Sequence, residues 1–516
     1  MRVVPTNKLI YLSILSLIVV IAVPSFSDPR TILWGHLNGE AVNHYWMFWR
    51  SLQNGAVANW PEGIPIPLMD LTNLIFYVPA YWVGGAVFGY NCVVLANILL
   101  AFIGVTFWAK RFGSNESAIL VGLMITLSPA MQALYQFGIT EIMGIGWLGI
   151  YFGLAWQGRH TILRRLSLLA FWWCGVYSSI FSVFLGIAFI FLKFEKAKEI
   201  ATDFAIVTAA TIPIWMRMSE AQSLWWARLE HVNHVSQRPD WMEQHFFGSD
   251  LMAWLNPVIG QNGPSNTIFA GFALTGLWLW GVRVNHWRWG VAWLMTILCA
   301  AGPWPRIMGN ELGFMGPVWV LQTLFDELRG IQHWHRLAYF WVLLWVPAVM
   351  NVINQWKKMR WVLLCVVTME LLTYKLKMSD IVYTEVPNIY NEISNGVLLE
   401  FPLDSKSFAK DRSFVRYSNL WQPMHGHPVV MNFEGDIYLL KNNTLSELNR
   451  LCFKYSTEKL SFDSNWLASW DWFLLNKSSC PNLVQTVQEL VLNLGKPLAA
   501  DDEYLLWKNP NFEVSK

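Results

Sequence analysis

Three side chains near the N-terminus have types and spacing that could bind a divalent metal. His36, Glu40 and His44 are spaced by four residues, so a helix through them would place all three on one face. Imidazole and carboxylate groups at that spacing suit divalent cations. The turn-like pair Asn38-Gly39 favours a helix that begins after His36, however. The spacing therefore leaves a divalent metal open without requiring one.

Glu40 has a second interpretation, as a general base at a membrane surface. Partial removal from water raises the pKa of a carboxyl group toward neutral, which suits it for taking a proton from a hydroxyl group. The alternative is a solvated acid in a surface loop, and spacing alone favours that structural role.

Two other acids lie in apolar surroundings. Glu141, in YQFGITEIMGIGW, lies between two apolar runs, where a carboxylate costs free energy unless it is paired or reaches water. This indicates a functional acid, with a solvated interfacial residue as the alternative. Asp250, in HFFGSDLMAWLNP, has the position of the N-cap of a short helix, and capping is favoured slightly over a role in the site.

A basic cluster precedes a late apolar run. The stretch DELRGIQHWHRLAYFW contains Arg329, His333, His335 and Arg336. The forked donors of arginine match phosphate oxygens, so the cluster predicts a site for the phosphate of a lipid carrier. Snorkelling of basic side chains at a helix end is the alternative. That alternative is weaker here, because positive charges are disfavoured on the outer side of a membrane.

The chain that positions these residues is too apolar for a water-soluble fold. Of 516 residues, 54% are hydrophobic and 14% are charged, whereas soluble proteins carry about 25% charged residues. The deficit lies in residues 9–380, whose uncharged runs reach the roughly 20 residues that a helix needs to cross a bilayer. The net charge of +2 does not indicate nucleic-acid binding.

The apolar runs predict a mainly α, polytopic membrane helix bundle of about 10–12 spans. The candidate runs are residues 9–26, 72–88, 91–109, 117–135, 139–157, 166–192, 203–218, 268–284, 289–303, 337–354 and 360–376. The first run reads as an uncleaved helix, because the residues after it make a poor signal-peptide cleavage site.

Basic residues in the short loops predict the orientation, with the N-terminus in the cytoplasm. Every basic loop faces inward if segment 72–88 is re-entrant or interfacial and segment 166–192 bends into two short passes around residues 177–179. The regions predicted to face outside are then the loops 27–71, 219–267 and 304–336, the turn at Glu141 and the tail from residue 378.

The tail has an ordinary globular composition and predicts a small α/β domain. GVLLEFPL, WDWFLLNK and EYLLWKN are strand-like, and residues 482–493 have the apolar spacing of a helix. Cys452 and Cys480 would be able to form a disulfide in an oxidising compartment. The predicted organisation is a transmembrane domain over residues 1–377 and an extracytoplasmic α/β domain over 378–516.

Motifs of soluble enzymes are missing from the sequence. It contains no GxxxxGK[ST] phosphate loop and no CxxC, HExxH or GxSxG motif. The spans are nearly free of charge, whereas an ion channel or a proton-coupled transporter is expected to place charges within them.

The order of these features resembles bacterial polytopic membrane glycosyltransferases of the GT-C fold, in a branch with a soluble C-terminal domain. The resemblance is one of pattern and order, and it covers most of the chain. The stretches that carry it are HYWMFWRSLQNG with NWPEG, LSPAMQALYQFGITEIMGIGWLGIYFGL, LNPVIG with FAGFALTGLWLWG, LRGIQHWHR, and LLEFPL with QPMHGHPVVMNFEG.

The resemblance implies an inverting transfer of sugar from a polyprenyl-phosphate-linked donor to an extracytoplasmic acceptor (glycan, lipid or protein) at the bacterial cytoplasmic (inner) membrane. It implies that Glu40 is the base and Glu141 a second acid. It also implies that Arg336, helped by Arg329, neutralises the departing lipid phosphate. Glu40 stands where the commoner pattern has Asp. The substrate-binding set is completed by His333, His335, Asp250 and His44.

Two other classes remain open, a non-catalytic membrane scaffold and a lipid-linked-saccharide transporter for envelope polysaccharide assembly. Both predict that Glu40→Gln and Arg336→Ala leave function intact, whereas the enzyme hypothesis predicts loss of transfer in a folded protein. The tail is expected to bind acceptor glycan, with QPMHGHPVV as the first candidate stretch and a structural turn as its alternative.

Overall fold

The architecture is taken from a computed structural model of the chain, which is mainly helical. The helices, in chain order, are α1 (Ala41–Ser51), α2 (Leu71–Ala109), α3 (Asn115–Thr126), α4 (Pro129–Phe137), α5 (Ile145–Gln157), α6 (Thr161–Trp172), α7 (Val176–Leu192), α8 (Ala197–Glu230), α9 (Phe272–Val282), α10 (Trp287–Ala300), α11 (Pro317–Leu324), α12 (Trp334–Gln355, with 3-10 turns at Trp334–Arg336 and Val342–Leu344) and α13 (Leu483–Leu494).

Among the residues that the structure describes, the strands are short. They are β1 (Ile32–Leu33), β2 (Arg306–Ile307), β3 (Asn310–Glu311), β4 (Val382–Tyr383), β5 (Leu398–Phe401), β6 (Trp472–Asn476), β7 (Ala499–Ala500) and β8 (Tyr504–Lys508). The residues that the structure describes are 27–35, 40–53, 70–230 (backbone only from 218), 250–253, 269–282, 287–308, 310–325, 328, 334–356, 362–363, 365–366, 369–370, 382–394, 396–401, 421–427, 452, 470–477, 480 and 482–509.

The chain divides into two compact units. The first unit contains Met1–Ala41, Leu68–Met216 and Gln237–Ile381. The second unit contains Val42–Pro67, Arg217–Ser236 and Val382–Lys516.

Helices of membrane-spanning length occur in the first unit. Among the described residues, three helical stretches are long and apolar enough to cross a bilayer, and they are α2, Phe194–Arg217 and α12. Helices α3 and α4 count as a fourth if a pair bent by 50° is one span. The helical membrane architecture is therefore confirmed, while the count of about 10–12 spans stays a prediction. The run 9–26 lies outside the described residues.

The bend between α3 and α4 has a local cause. Pro129 is the first residue of α4 and has no N–H to continue the ladder of α3, and the Ser128 hydroxyl accepts a bond from the Met131 N–H as the cap of the new helix. The predicted single run 117–135 is for this reason two helices.

Helix α2 is interrupted within segment 72–88, which was predicted to be re-entrant or interfacial. Gly85 has φ 80° and ψ −172°, which no helix contains, and a Cβ there would meet nothing within 4 Å. The positive φ alone therefore explains the glycine. Whether the first half of α2 is re-entrant stays a prediction.

The break in segment 166–192 occurs earlier than predicted. Helix α6 ends at Trp172 and α7 begins at Val176, so the predicted position around residues 177–179 was wrong. Ser178 and Ser179 lie in the first turn of α7, and their hydroxyls donate to carbonyls, including that of Trp172 at 3.0 Å. Serine hydroxyls that bond to nearby carbonyls are compatible with a helix, which is why these residues do not end one.

Glycines bring α2 and α5 into close contact. A Cβ on Gly104 would lie 2.0 Å from the Gly146 carbonyl oxygen, and a Cβ on Gly146 would lie 2.2 Å from that of Leu100. Small residues at such positions let two membrane helices approach backbone to backbone. The contact fixes α5, which begins directly after the turn that carries Glu141.

The second unit contains a sheet and a helix from the predicted tail (the small domain), while the bounds of 378–516 stay a prediction. Its sheet has the order β5-β6-β8-β7, with β5 and β6 parallel and the other pairs antiparallel. Helix α13 contributes Leu490 and Leu494 to a core with alternate strand residues such as Phe401, Phe473 and Trp507. The sheet and its helix are confirmed.

The small domain also contains strand β7 and a disulfide. Strand β7 was not predicted. Cys452 and Cys480, whose Cα atoms are 5.1 Å apart, form a disulfide.

Candidate active site

Arg336 joins two carboxylates that are distant in sequence. It lies in the 3-10 turn that opens α12. Its Nη1 donates to Glu141 Oε1 at 2.8 Å across 195 residues, and its Nη2 donates to Glu40 Oε1 at 2.5 Å across 296 residues. The structure thus places the candidate base, the second acid and the candidate phosphate ligand in direct contact.

The three charged side chains differ in exposure. The side chains of Arg336 and Glu141 are each 4% exposed, whereas that of Glu40 is 38% exposed. A guanidinium buried against one carboxylate keeps its geometry because either charge alone would be costly in that environment. Glu40 is consequently the acid that a second molecule is able to reach.

Glu141 is positioned by a tight turn and by the start of α7. It lies in the 3-10 turn Thr140–Ile142, between α4 and α5. The Ser178 hydroxyl donates to the Glu141 carbonyl at 2.7 Å. A Cβ on Gly175 would lie 2.9 Å from the Glu141 Cβ, so glycine is what allows α7 to begin this close to the acid.

Tyr177 is a site residue that sequence reasoning missed. Its ring lies under the guanidinium of Arg336, with 5.2 Å from the Arg336 Cζ to the ring centroid. A cation over an aromatic face is stabilised by the ring quadrupole. The only sequence signal was its place in the run where a bend was expected.

A buried polar network beneath Glu141 was also missed. Asn73 donates through Nδ2 to Asp70 Oδ1 at 2.7 Å and to the Thr140 carbonyl at 3.3 Å, and Asn97 donates to Asn73 Oδ1 at 2.7 Å. Asp70 is buried and has φ 64°, a conformation that is strained for most residues but tolerated by Asp. The available signal was polar side chains inside apolar runs, where they are rare and commonly functional.

One donor of Arg336 remains unused. Among the residues that the structure describes, no acceptor lies within hydrogen-bond distance of its buried Nε–H. A buried donor without an acceptor costs about 1–3 kcal/mol, so the group is suited to an oxygen supplied by a ligand.

The remaining predicted residues have varied positions. His335 is buried in the same 3-10 turn as Arg336. His44 is buried in the first turn of α1, in the second unit. Asp250 Oδ1 accepts the N–H groups of Met252 at 2.8 Å and Met308 at 3.1 Å, a turn-stabilising arrangement beside β2. The residues His36, Arg329 and His333 lie outside the described part of the chain.

The two acids are also candidate ligands for a divalent cation. An oxygen of Glu40 and an oxygen of Glu141 lie within 4.8 Å of one another. Carboxylate oxygens suit hard cations, but Arg336 already bonds to both groups, and a cation between them would compete with the guanidinium. A metal here therefore stays an expectation.

Comparison with known proteins supplies the fold class. No family model matches the sequence, and no curated protein matches it. The structure of arabinofuranosyltransferase AftD from mycobacteria superimposes with a TM-score of 0.52 at 12% identity, covering 96% of this chain and 40% of that one. This chain thus spans less than half of that protein's length.

Two further structures show weaker similarity. ArnT from Cupriavidus metallidurans, solved with undecaprenyl phosphate, gives a TM-score of 0.45 at 12% identity over 99% of this chain and 100% of that one. The oligosaccharyltransferase of Archaeoglobus fulgidus gives 0.46 at 10% identity over 90% and 70%.

The fold is that of the GT-C membrane glycosyltransferases, as the sequence resemblance implied.

Proposed function

We propose that this protein is a membrane glycosyltransferase that moves a sugar from a polyprenyl-phosphate-linked donor to an extracytoplasmic acceptor. The observation that carries the proposal is the contact of Arg336 with both Glu40 and Glu141. The arrangement combines an accessible acid, a buried cation and a buried acid that holds the cation in place. Those are the groups that such a transfer requires.

Glu40 is the proposed base. It takes the proton of the acceptor hydroxyl group as that oxygen bonds to the anomeric carbon. The bond between the anomeric carbon and the phosphate oxygen breaks on the opposite face, and its electron pair leaves with the lipid phosphate. A single displacement of this kind inverts the anomeric configuration.

Arg336 is the proposed ligand of the departing phosphate. Its buried Nε–H is available to a phosphate oxygen, and its fork matches phosphate geometry. A phosphate at this position would compete with Glu40 for the guanidinium. A carboxylate released from a guanidinium is a stronger base, so arrival of the donor would itself activate Glu40.

The proposed location is the bacterial inner membrane, with the N-terminus in the cytoplasm and the small domain outside. The Cys452–Cys480 disulfide supports an oxidising compartment for that domain. A periplasm-dependent reporter such as alkaline phosphatase, fused after residue 509, is expected to be active. A reporter that is active only in the cytoplasm would contradict this orientation.

The direct test is incubation of purified protein with a panel of polyprenyl-phosphate-linked sugars and detection of released lipid phosphate. We expect Glu40→Gln to lower the rate by about 10²–10⁴-fold, the range that general base catalysis contributes. Arg336→Ala is expected to abolish transfer. The exposed Glu195 provides a matched control, because Glu195→Gln changes an acid outside the site.

The alternatives give different outcomes. A scaffold or a lipid-linked-saccharide transporter would keep its function in Glu40→Gln and Arg336→Ala, provided that both variants remain folded. Retained function in either variant would remove the catalytic assignment.

A further inference from the structure

The helix that follows Glu40 belongs to the second unit rather than to the unit that contains Arg336. Helix α1 begins at Ala41, directly after Glu40, and the division between the units falls at residues 41 and 42. Its aromatic residues Tyr45, Trp46, Phe48 and Trp49 are all buried. The candidate base is thus covalently joined to an element of the second unit.

Trp46 connects α1 to the C-terminal part of the chain. Its indole N–H donates to Gln422 Oε1 at 2.6 Å, across 376 residues of sequence. Gln422 is completely buried, and its Nε2 donates to the His427 carbonyl at 3.1 Å. Both ends of the Gln422 amide are therefore engaged, which fixes the side chain in one orientation.

The segment that carries Gln422 is in turn held against β5. The His427 N–H donates to His425 Nδ1 at 3.1 Å, and the His425 ring stacks on Tyr390 with 4.9 Å between centroids. The Tyr390 hydroxyl donates to Glu400 Oε1 at 2.6 Å. Because Glu400 lies in β5, these contacts lead from α1 to the sheet of the small domain.

Helix α1 depends on tertiary contacts, of which the Trp46–Gln422 bond is one. It has 11 residues, and helices shorter than about 12–15 residues are marginal in water without tertiary packing. A base also has to lie within hydrogen-bond reach of its proton, and a misplacement of about 1 Å costs about 10²-fold in rate. The anchoring of α1 is therefore expected to affect the position of the residue before it.

We infer that Gln422 is a positioning residue for the base Glu40 and that the small domain acts by holding α1 through the Trp46–Gln422 bond. The catalytic part of this inference rests on the proposed function. It gives residues 422–427 a role in assembling the site, while the contact of the stretch QPMHGHPVV with acceptor glycan stays a prediction. Gln422 acts only through α1 and touches no reacting atom.

The test uses the full-length protein and measures amide hydrogen exchange together with transfer kinetics. We expect Gln422→Leu and Trp46→Phe to raise exchange across residues 41–51 by about tenfold or more, with β6 and β8 unchanged, because only the anchor is lost. We expect kcat to fall by about 10–100-fold while KM for the lipid-linked donor changes less than about twofold.

Three further variants sharpen the test. Gln422→Glu keeps an acceptor for the Trp46 indole and is expected to retain most of the protection of α1. The double variant with both Trp46→Phe and Gln422→Leu should lose no more than either single variant, because both break one bond. The matched control is Gln488→Leu at an exposed position of α13, which should leave exchange and kcat unchanged.

Three results would overturn the inference. They are unchanged exchange of α1 in Gln422→Leu, an equal rise in β6 and β8, and an unchanged kcat despite a loosened α1. The exchange measurement needs no substrate. If the wild-type protein transfers no sugar, the proposed function fails, whereas the anchoring of α1 is still decided by exchange.

Discussion

At the scale of single residues, the main feature of the candidate site is the guanidinium of Arg336, which bonds to two carboxylates. Arg336 and Glu141 are both almost fully buried, and each satisfies the other's charge. A buried ion pair of this kind contributes little net stability compared with apolar residues of similar size, yet loss of one partner is costly. The pair is therefore expected to serve orientation more than stability.

This distinction is testable with leucine substitutions. Arg336→Leu is expected to lower the free energy of unfolding by about 3–5 kcal/mol, because it leaves a buried carboxylate without its cation. Adding Glu141→Leu should recover most of that stability and none of the transfer activity. Thermal unfolding in detergent, with transfer assayed in parallel, measures both. Stability that stays low in the double variant would contradict the ion-pair explanation.

Glu400 gives a second prediction at the scale of residues, which concerns how stability depends on pH. Burial raises the pKa of its carboxyl from 4.5 to about 7, and the Tyr390 hydrogen bond opposes that shift. The folded state therefore holds the proton more tightly than the unfolded state. The stability contribution is complete below pH 4.5 and is lost as the pH rises through 7.

The titration of His425 changes stability with pH in the opposite direction. The effect of Glu400 must therefore be measured as a difference between the wild type and a variant. Burial, with a smaller effect of His427, lowers the pKa of His425 from 6.5 to about 3, which makes stability rise with pH in that interval. Exchange protection of β5 and β6, corrected for intrinsic rates, should therefore be compared between wild type and Glu400→Gln. We expect the wild type to lose protection relative to the variant between pH 4.5 and 7, and a constant difference would contradict this.

At the scale of elements, polar side chains fasten the first turn of α2 to the turn that carries Glu141. Asn73→Leu removes the donors to Asp70 and to the Thr140 carbonyl. We expect a loss of about 1–3 kcal/mol in stability, because both acceptors remain buried. We also expect a lower kcat, and Asn115→Leu at an exposed position serves as the control. A stability loss with an unchanged kcat would make the network purely structural.

The packing of α2 on α5 gives another prediction for elements. Gly104→Ala would place a methyl group 2.0 Å from a backbone oxygen of Gly146, which forces the helices apart. We expect a loss of about 3 kcal/mol, the upper end for overpacking. The exposed Gly276 of α9 has nothing within 4 Å of its Cβ position, so Gly276→Ala should stay within about 1 kcal/mol of wild type. Equal unfolding temperatures for the two variants would contradict the close approach.

At the scale of the whole molecule, sequence patterns predicted the elements that depend on local periodicity and the site residues whose charge is rare in an apolar stretch. Alternating and helical apolar patterns identified β5, β6, β8 and α13, because each pattern is contained within one element. Glu141 and Arg336 stood out because charge is rare beside membrane helices. Strand β7 was missed because two residues are too few to form a pattern.

Features that depend on partners distant in the sequence could not be predicted from it. The bond of Asn73 to Thr140 joins residues 67 apart, and the bond of Trp46 to Gln422 joins residues 376 apart. Nothing in the residues between 41 and 51 shows that α1 belongs to the second unit. Likewise, the break before α7 depends on the fit of Gly175 against Glu141, which no local pattern encodes.

The separation of Glu40 and Arg336 by 296 positions in the sequence has a consequence for biogenesis. A ribosome releases the first acid into the translocon long before it has made the guanidinium that joins the two carboxylates. On the proposed function, a nascent chain is unable to use a lipid-linked donor until its late helix has been inserted. On that proposal, delayed insertion of that helix delays the onset of transfer by the same interval, and the protein is inactive throughout most of its own synthesis.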